Sequence, residues 1–492
     1  MQCWSRLYLL FITGRSRKNL SAGFLQQTTD SEVRIRNFRK TFFPAPGCIL
    51  EGVVLTHDSA AAEPLVTIDR MIVRGNYWEL LRHRVHRLTA QGVRISVPPP
   101  GSRKPFQVRT SAITIDEVVA DGALVVVEPQ TSAGKPLQFA IHEGLLRHVG
   151  WNIPLTYSIR IHNPEPPGEL NSTGTLGPWN LRDPGATPLS GEYVLEAADL
   201  STYGGIAGML TSHGKFQGQF KGVEISGTSE TPDFEVKSSG HPVALTAQFS
   251  ARLDAVHSDV FLNGVDADFR QTHITAKGSI ASRPDRKEKV ALIEISSTRA
   301  RIQDLLELFI TSNRSPMSGW ISFRGRAQIP THLDDFLRKI KLEGGFGIGG
   351  AEFSNSSTQR EVDKLSAGSL GNKSSSDPGT VLTDVTGREE LAGGIAKFSG
   401  LKFRVPGAAA RMNGTFNVIT EAVDLRGRLR VDTEISNTQT GVKSLLLKFI
   451  QPFFKRKRRG QIVPVRISGT YENPKFGLDL GDSKSSARGA AR

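Results

Sequence analysis

The sequence predicts a mainly β protein with few helices. Apolar and polar residues alternate with period two, most regularly between residues 33 and 130, as in LVTIDRMIVRG. The chain contains 49 Gly and 26 Pro, and these residues divide the alternating stretches as turns do. Finally, GVEISGTSETPDFEV (residues 222–236) and PVRISGTYENPKFGL (464–478) are identical at eight of fifteen positions. Such a repeat indicates that one supersecondary unit is used more than once, as in an array.

Four stretches have features expected of short helices. They are YWELLRHRVHRL (77–88), ADLSTYGGIAGML (198–210), IQDLLELFITS (302–312) and VKSLLLKFIQPFF (442–454). Each of the last three precedes Gly-bounded strand patterns. We therefore expect a short helix to lead into strands that extend one continuing sheet.

The charge of the chain favours an anionic partner. The 492 residues carry a formal net charge of +14, with 62 Lys and Arg against 48 Asp and Glu. The densest basic run, KRKRR, directly follows the apolar SLLLKFIQPFF. Nucleic-acid-binding proteins place aromatic residues between basic ones, whereas an apolar block followed by a basic block is typical of a segment at a lipid headgroup boundary.

This apolar and basic segment is therefore predicted to contact a membrane or a protein partner, and nucleic acid is not expected. The alternative is a buried capping helix with a solvated basic end. The predicted contact residues are Leu446, Phe449, Ile450, Phe453, Phe454, Lys455, Arg456, Lys457, Arg458 and Arg459.

The sequence contains no pattern that indicates catalysis. GFGIGG (345–350) satisfies G-x-G-x-x-G, but no helix-forming run follows, so we interpret it as glycines within a strand. His83 and His86 are three residues apart without a neighbouring acidic or Cys ligand in the sequence, which favours a solvated basic face. We expect no enzyme, no cofactor and no metal, although a hydrolase site assembled from distant residues would leave no local pattern.

Composition suggests five segments. Residues 1–32 are expected to be the remnant of a membrane anchor or disordered, because LYLLFI is far shorter than the roughly 20 residues that span a bilayer. Residues 33–353 form a repetitive β region, and 354–392 form a polar flexible loop. Residues 393–480 form a C-terminal region, and 481–492 form a disordered tail.

The C-terminal region carries a resemblance to a known family. MNGTFNVITEAVDLRGRLRVDTEI, SLLLKFIQPFFKRKRRG and the closing IVPVRISGTYENP (462–474) resemble the C-terminal region of AsmA-like proteins. The stretch VRIRNFRKTFFPAPGCILEGVVLTH (33–57) is similar to the opening strands of that family. The family includes proteins of the TamB type and is similar to the bridge-like lipid transfer proteins.

The resemblance implies an elongated, twisted antiparallel β-sheet groove. It also implies a bacterial inner-membrane anchor, a body in the periplasm, and a role in moving phospholipid to the outer membrane or in maintaining that membrane. Phospholipid, the membrane surface and other envelope proteins are the partners it implies. The rival hypothesis is a scaffold protein of the envelope with a closed β core and no lipid ligand.

An apolar groove could hold acyl chains on the apolar side of its strands. The candidate groove residues are Val93, Ile95, Val97, Val223, Ile225, Val465 and Ile467. The alternative for each of them is a place in an ordinary sandwich core.

Overall fold

In a computed structural model of the chain, the described residues form 24 strands and three short helices. The described residues are 32–43, 45–56, 64–82, 84–97, 113–128, 136–150, 152–180, 183–283, 286–310, 315, 317–330, 336–354, 383–405, 408–431, 462–470 and 473–479.

The first twelve strands are β1 (Glu32–Thr41), β2 (Gly47–Thr56), β3 (Val66–Arg74), β4 (Arg84–Val97), β5 (Thr114–Val127), β6 (Leu137–Gly150), β7 (Leu155–Pro164), β8 (Pro167–Leu176), β9 (Pro188–Asp199), β10 (Ile206–Ala207), β11 (Met209–Gln219) and β12 (Gly222–Val236). The others are β13 (Val243–Asp254), β14 (Asp259–Phe269), β15 (Thr272–Arg283), β16 (Arg286–Arg301), β17 (Met317–Pro330), β18 (Lys341–Phe353), β19 (Thr383–Ala392), β20 (Ile395–Val405), β21 (Ala408–Asn417), β22 (Ala422–Val431), β23 (Ile462–Thr470) and β24 (Pro474–Leu478). The helices are α1 (Tyr77–Leu81), α2 (Ile302–Glu307) and α3 (Phe336–Lys339).

The mainly β prediction is confirmed. The described strands belong to one large twisted sheet that is not closed. Most neighbouring strands are antiparallel, but β4 and β5 pair in parallel from Arg84↔Thr114 to Val97↔Val127. The sheet is therefore mixed, which corrects the purely antiparallel expectation. A parallel pair needs a connection that returns the chain to the starting end of the strand, which no tight hairpin can do.

The chain divides into two compact units. The first takes its described residues from Met1–Thr202, Met209–Ser229 and Ser250–Val260, and the second from Tyr203–Gly208, Glu230–Phe249 and Phe261–Arg492. In the first unit β1 to β4 form an antiparallel series, and β5 to β9 form another that continues to β11. In the second unit β15 to β24 pair in chain order, each antiparallel to the next.

Each unit has its own core clusters. In the first unit, Val33, Leu50 and Val53 of β1 and β2 form one cluster, and Ala90, Val93 and Ala123 of β4 and β5 form another. The second unit has a small cluster in which Leu308, just after α2, packs with residues of β12 to β14. Its largest cluster runs across β18 to β23. Apolar side chains at alternate positions thus account for the cores.

The helix predictions were largely wrong in extent. The stretch 77–88 is helical only in α1, and β4 begins at Arg84. Apolar and polar residues also alternate in Arg-Val-His-Arg-Leu, and this segment pairs with β3, for example through Arg74↔Arg87. The stretch 198–210 contains only a 3₁₀ turn at Leu200–Tyr203 before β10. In 302–312 the helix α2 ends at Glu307. A stretch whose apolar residues have helical spacing can still form a strand when a partner strand is available for pairing.

The loop predicted for 354–392 needs one correction as well. Its last ten residues, TDVTGREELA, form β19. The strand is hard to recognise in the sequence because Gly387 and Glu389 occupy positions on its buried side, where apolar residues are expected. The interpretation of GFGIGG as strand glycines is confirmed, because the motif lies within β18.

The repeated sequence has the same structure only in its first half. Val223 and Val465 are 3% and 8% exposed, and Ile225 and Ile467, two residues later, are partly buried in both copies. Beyond the shared Ser-Gly-Thr, the first copy stays extended through the rest of β12. The second copy turns and returns as β24, with Gly469 opposite Pro474. The prediction of one reused supersecondary unit is therefore wrong beyond the shared Gly-Thr.

Candidate functional site

The strands β18 to β23 of the second unit present one side that is mostly apolar, with Glu389 as its one described carboxyl group. Cross-strand register places Ile348 opposite Val385, Leu401 opposite Met412, and Leu429 opposite Val463. We call this side the apolar face; it carries Phe346, Ile348, Val385, Leu401, Phe403, Met412, Leu425, Leu429, Val463, Val465 and Ile467. Some of these side chains are buried, such as Met412 and Val463, while Phe346, Phe403, Leu425 and Ile467 are only partly buried.

The predicted groove residues of β23 lie on the apolar face. Val465 is buried opposite Gly427 and Leu478, and Ile467 is partly buried opposite Leu425. Arg466 lies between them on the other side, where its Nε donates a hydrogen bond of 2.8 Å to Asp424 Oδ1. The alternation that the sequence predicts for this strand is therefore present.

The corresponding residues of β12 lie in the first unit. Val223 is buried, Ile225 is partly buried, and Glu224 between them is exposed. The Ile225 side chain keeps accessible surface, whereas Val223 two residues earlier is buried in the protein core. Ile225 could therefore contact a ligand. The groove assignment of Ile225 stays a prediction.

The three candidates on β4 differ in burial. Val93 is 9% exposed in the cluster with Ala90 and Ala123, and Ile95 packs against the same cluster. Val97, at the end of the strand, is 39% exposed. Register places Val93 opposite Ile68 on one neighbour and Ala123 on the other. Val93 is thus a core residue of the first unit, and Val97 is a surface residue.

Sequence reasoning missed an aromatic–glycine arrangement on the sheet. Tyr157 lies opposite Gly174, where its hydroxyl would be 2.9 Å from an added Cβ. Tyr193 covers Gly214 in the same way, with Cε1 at 3.0 Å from such a Cβ. In the second unit Phe346 lies over Gly387. A ring lying over the glycine of the next strand covers backbone that would otherwise be exposed.

Each tyrosine ring is held by a serine two residues before the glycine it covers. The Ser172 hydroxyl lies 3.4 Å from the Tyr157 hydroxyl and donates a hydrogen bond to the Glu192 carbonyl. Ser212 Oγ lies 3.2 Å from the Tyr193 hydroxyl and donates to a carbonyl of β12. Burial raises the pKa of both tyrosines. The spacing Ser-x-Gly, in a strand that follows a Tyr-containing strand, is the signal that could have identified this arrangement.

One carboxyl group lies among apolar residues. Glu389 occupies a position of β19 between Gly344 on one neighbouring strand and Phe398 on the other. Burial raises the pKa of Glu389, because the ionised carboxylate loses hydration there. The ionised form therefore opposes folding at neutral pH.

A Glu389→Gln variant is expected to be more stable than the wild type at pH 7. Because the folded pKa is raised, the wild type keeps its full stability below the unfolded pKa of about 4.3 and loses some as pH rises through the folded value. The amide does not ionise and avoids that loss. Thermal unfolding below about pH 4 should give equal midpoints, and at pH 7 a higher midpoint for the variant. A lower midpoint for the variant at pH 7 would contradict this placement of the carboxyl.

The polar side of the first unit holds a carboxylate surrounded by cationic and imidazole groups. Glu169 Oε1 lies 3.0 Å from His162 Nδ1, and Oε2 lies 3.7 Å from His142 Nε2 and 3.8 Å from Arg160 Nε. The pKa of Glu169 is lowered, chiefly by the hydrogen bond from His162. The Glu169 side chain is 34% exposed and its histidine and arginine partners are more exposed, so these contacts hold the strands β6 to β8 together only weakly.

A mixed ligand set occurs near α1. Ligand atoms of Glu79, His86 and Asp116 lie within 4.8 Å of one another. The sequence suggested no acidic partner for His86, and the fold supplies two. However, the Arg84 guanidinium already neutralises Asp116, since its Nε and Nη2 donate hydrogen bonds of 3.0 and 2.8 Å to Oδ1. We assign no metal to these residues.

The predicted membrane or partner contact falls in a segment outside the described residues. Leu446, Phe449, Ile450, Phe453, Phe454 and the basic run from Lys455 to Arg459 lie outside the described residues. The segments 1–31 and 480–492 lie outside them as well. The roles assigned to these residues stay predictions.

The apolar face is the candidate site, because it keeps partly exposed apolar side chains beside its buried ones. None of the described helices is long and apolar enough to cross a membrane. Comparisons of the chain with models of known protein families, with curated proteins and with solved structures found no match.

Proposed function

We propose that this chain is a non-enzymatic protein of the bacterial envelope that binds phospholipid on the apolar side of an open sheet and conducts it between the inner and outer membranes. The observation that carries the proposal is an apolar face, built strand after strand, that keeps partly exposed side chains beside its buried ones. The resemblance of the C-terminal region to AsmA-like proteins supports the same function.

The described helices are too short to cover this face as a helical layer would. They contain five, six and four residues, against 24 described strands. Only α2 contributes to the large core cluster, through Ile302 and Leu306. The side chains of this face that stay partly exposed, such as Phe346 and Ile467, favour an apolar partner, since leaving them in water costs free energy.

Acyl chains suit such a surface. Each CH₂ group removed from water contributes roughly 0.8 kcal/mol, so contact along several strands would hold a lipid without any specific bond. The opposite side of the same strands is charged, for example at Arg411 and Arg428, and could not accept an acyl chain. The strands are thus suited to hold lipid on one side only, with headgroups left at a polar rim.

The rival is an envelope scaffold whose apolar residues form a closed core. Met412 and Val463 favour it locally, because they are 1% and 0% exposed. Positions such as Ile225 and Ile467, which are only partly buried, distinguish the two functions. In the scaffold they would contact protein alone.

Photo-crosslinking tests the proposal. A photoreactive residue is placed at Ile225, at Ile467 and, as the control on the opposite side, at Arg466, and adducts formed in membranes are identified by mass spectrometry. We expect phospholipid adducts at the two isoleucine positions and none at Arg466. Adducts with protein alone at all three positions would favour the scaffold and overturn the lipid function.

A further inference from the structure

The side of β20 to β23 opposite the apolar face is unusually basic. We call it the basic face; its charged side chains are Lys397, Lys402, Arg404, Arg411, Arg426, Arg428, Arg430 and Arg466, with Asp424 as the one carboxylate. Eight cations against one anion give a net charge of +7 on four strands. Asp424 is shared by Arg466 at 2.8 Å and Arg426 at 3.5 Å, and these hydrogen bonds lower its pKa.

Three of these cations stand in one row across the sheet. Lys402 is directly opposite Arg411, and Arg411 is directly opposite Arg428. Neighbouring strands lie about 4.8 Å apart, so the row holds three like charges within about 10 Å. No described carboxylate forms an ion pair with any of the three, and all are exposed. Like charges directly opposite one another destabilise a sheet.

Some exposed cations elsewhere on the sheet have carboxylate partners. Lys215 pairs with Glu192 at 2.9 Å, and Glu294 pairs with both Lys277 at 3.4 Å and Arg326 at 3.0 Å. The row of Lys402, Arg411 and Arg428 places three cations directly opposite one another without such a described partner. A partner with negative charge would relieve its repulsion.

Two exposed isoleucines share the basic face. Ile462, opposite Arg430, is 57% exposed, and Ile395, on the side of Lys397, is 45% exposed. Among the described outward side chains of β20 to β23 there is no aromatic ring. Cations interspersed with exposed aliphatic side chains suit a lipid interface, whereas a surface for single-stranded nucleic acid would offer rings for base stacking.

We propose that the basic face docks on an anionic lipid surface, with Lys402, Arg411 and Arg428 against headgroup phosphates and Ile395 and Ile462 at the edge of the acyl layer. This surface is separate from the apolar face, and the proposal does not depend on lipid binding there. Docking by the basic face would leave the other side of the strands turned away from the headgroups.

The test uses the full chain and two kinds of vesicle, phosphatidylcholine alone and phosphatidylcholine containing phosphatidylglycerol. The triple variant Lys402→Gln, Arg411→Gln, Arg428→Gln is expected to bind the anionic vesicles about 100-fold more weakly, since each cation near such a surface contributes about fivefold. Binding of the wild type should weaken at high salt. Because the variant removes like-charge repulsion, its thermal midpoint should be equal to or above that of the wild type.

A matched variant, Lys215→Gln, Lys277→Gln, Arg326→Gln, changes the net charge equally and should bind within about threefold of the wild type, since its cations lie outside the basic face.

A charge-conserving variant, Arg411→Lys with Arg428→Lys, should retain binding, because headgroup attraction depends on charge.

Equal losses in both triple variants, or no loss in either, would overturn the proposal. Tighter binding to a single-stranded oligonucleotide than to anionic vesicles, abolished by the basic-face variant, would overturn it in favour of nucleic acid. Lipid adducts at Ile467, measured with detergent-dispersed phospholipid, report the apolar face separately, so a failure of docking and a failure of lipid conduction are distinguishable.

Discussion

Replacing Met412 by alanine is expected to lower the free energy of unfolding of the second unit by about 2–5 kcal/mol, the usual cost of removing a long buried apolar side chain. Met412 is 1% exposed and belongs to the cluster that joins β18 to β23. Its side chain lies over Gly427, where an added Cβ would meet Met412 Cγ at 2.8 Å, so truncation leaves a cavity that neither strand can fill. Urea unfolding followed by circular dichroism measures the change.

The control is the same substitution at Met209. This residue is 50% exposed at the start of β11, so Met209→Ala should change the free energy of unfolding by no more than about 0.5 kcal/mol. Equal costs at both sites would show that the cluster around Met412 is not the packed centre of its unit.

An Ile225→Asp variant is expected to fold and to lose at least about tenfold in phospholipid binding, because a carboxylate in an acyl-chain path must give up its hydration or exclude the chain. Ile225 is partly buried, so the new carboxylate keeps contact with water in the protein without lipid. Circular dichroism reports folding, and recovery of labelled phospholipid with the purified protein reports binding.

Two companion variants make this prediction sharper. Val223→Asp puts the same charge at a site that is 3% exposed and should unfold the first unit. Gln217→Asp puts it on the exposed side of β11 and should leave both folding and lipid binding unchanged. If Ile225→Asp unfolds the protein as Val223→Asp does, Ile225 is a core residue and has no place in a lipid path.

Most strands were predictable because one of their sides is apolar, and alternation with period two can be seen in any short stretch of sequence. Val465, Arg466 and Ile467 illustrate this, since their sides of the sheet follow directly from the alternation. What the sequence could not show is the partner of a strand. The two copies of the repeat agree up to Gly-Thr and then differ, because one copy stays in its strand while the other meets its own returning chain in β24.

The candidate surfaces were only partly predictable for the same reason. The row of Lys402, Arg411 and Arg428 comes from three strands, and no single stretch shows three adjacent charges. Tyr157 and Gly174 are likewise brought together by register alone. Glu389 gave no signal, since a Glu in a polar stretch normally indicates solvent and here occupies a strand position beside Phe398.

The chain-order pairing of β15 to β24 has a consequence for how this part of the protein folds. Each of these strands finds its partner in the strand next to it in sequence, so the contacts have short sequence separation where the connections are short. Such a sheet can grow one hairpin at a time, with each completed strand serving as the template for its successor. The parallel pair β4 and β5 is different, because the chain must run from Val97 to Thr114 before the pairing can close. The pairings of β18 with β19 and of β22 with β23 span still larger separations, for example Leu342↔Leu391 and Ala422↔Thr470. We therefore expect the slowest folding steps to lie in the second unit, at these two long connections.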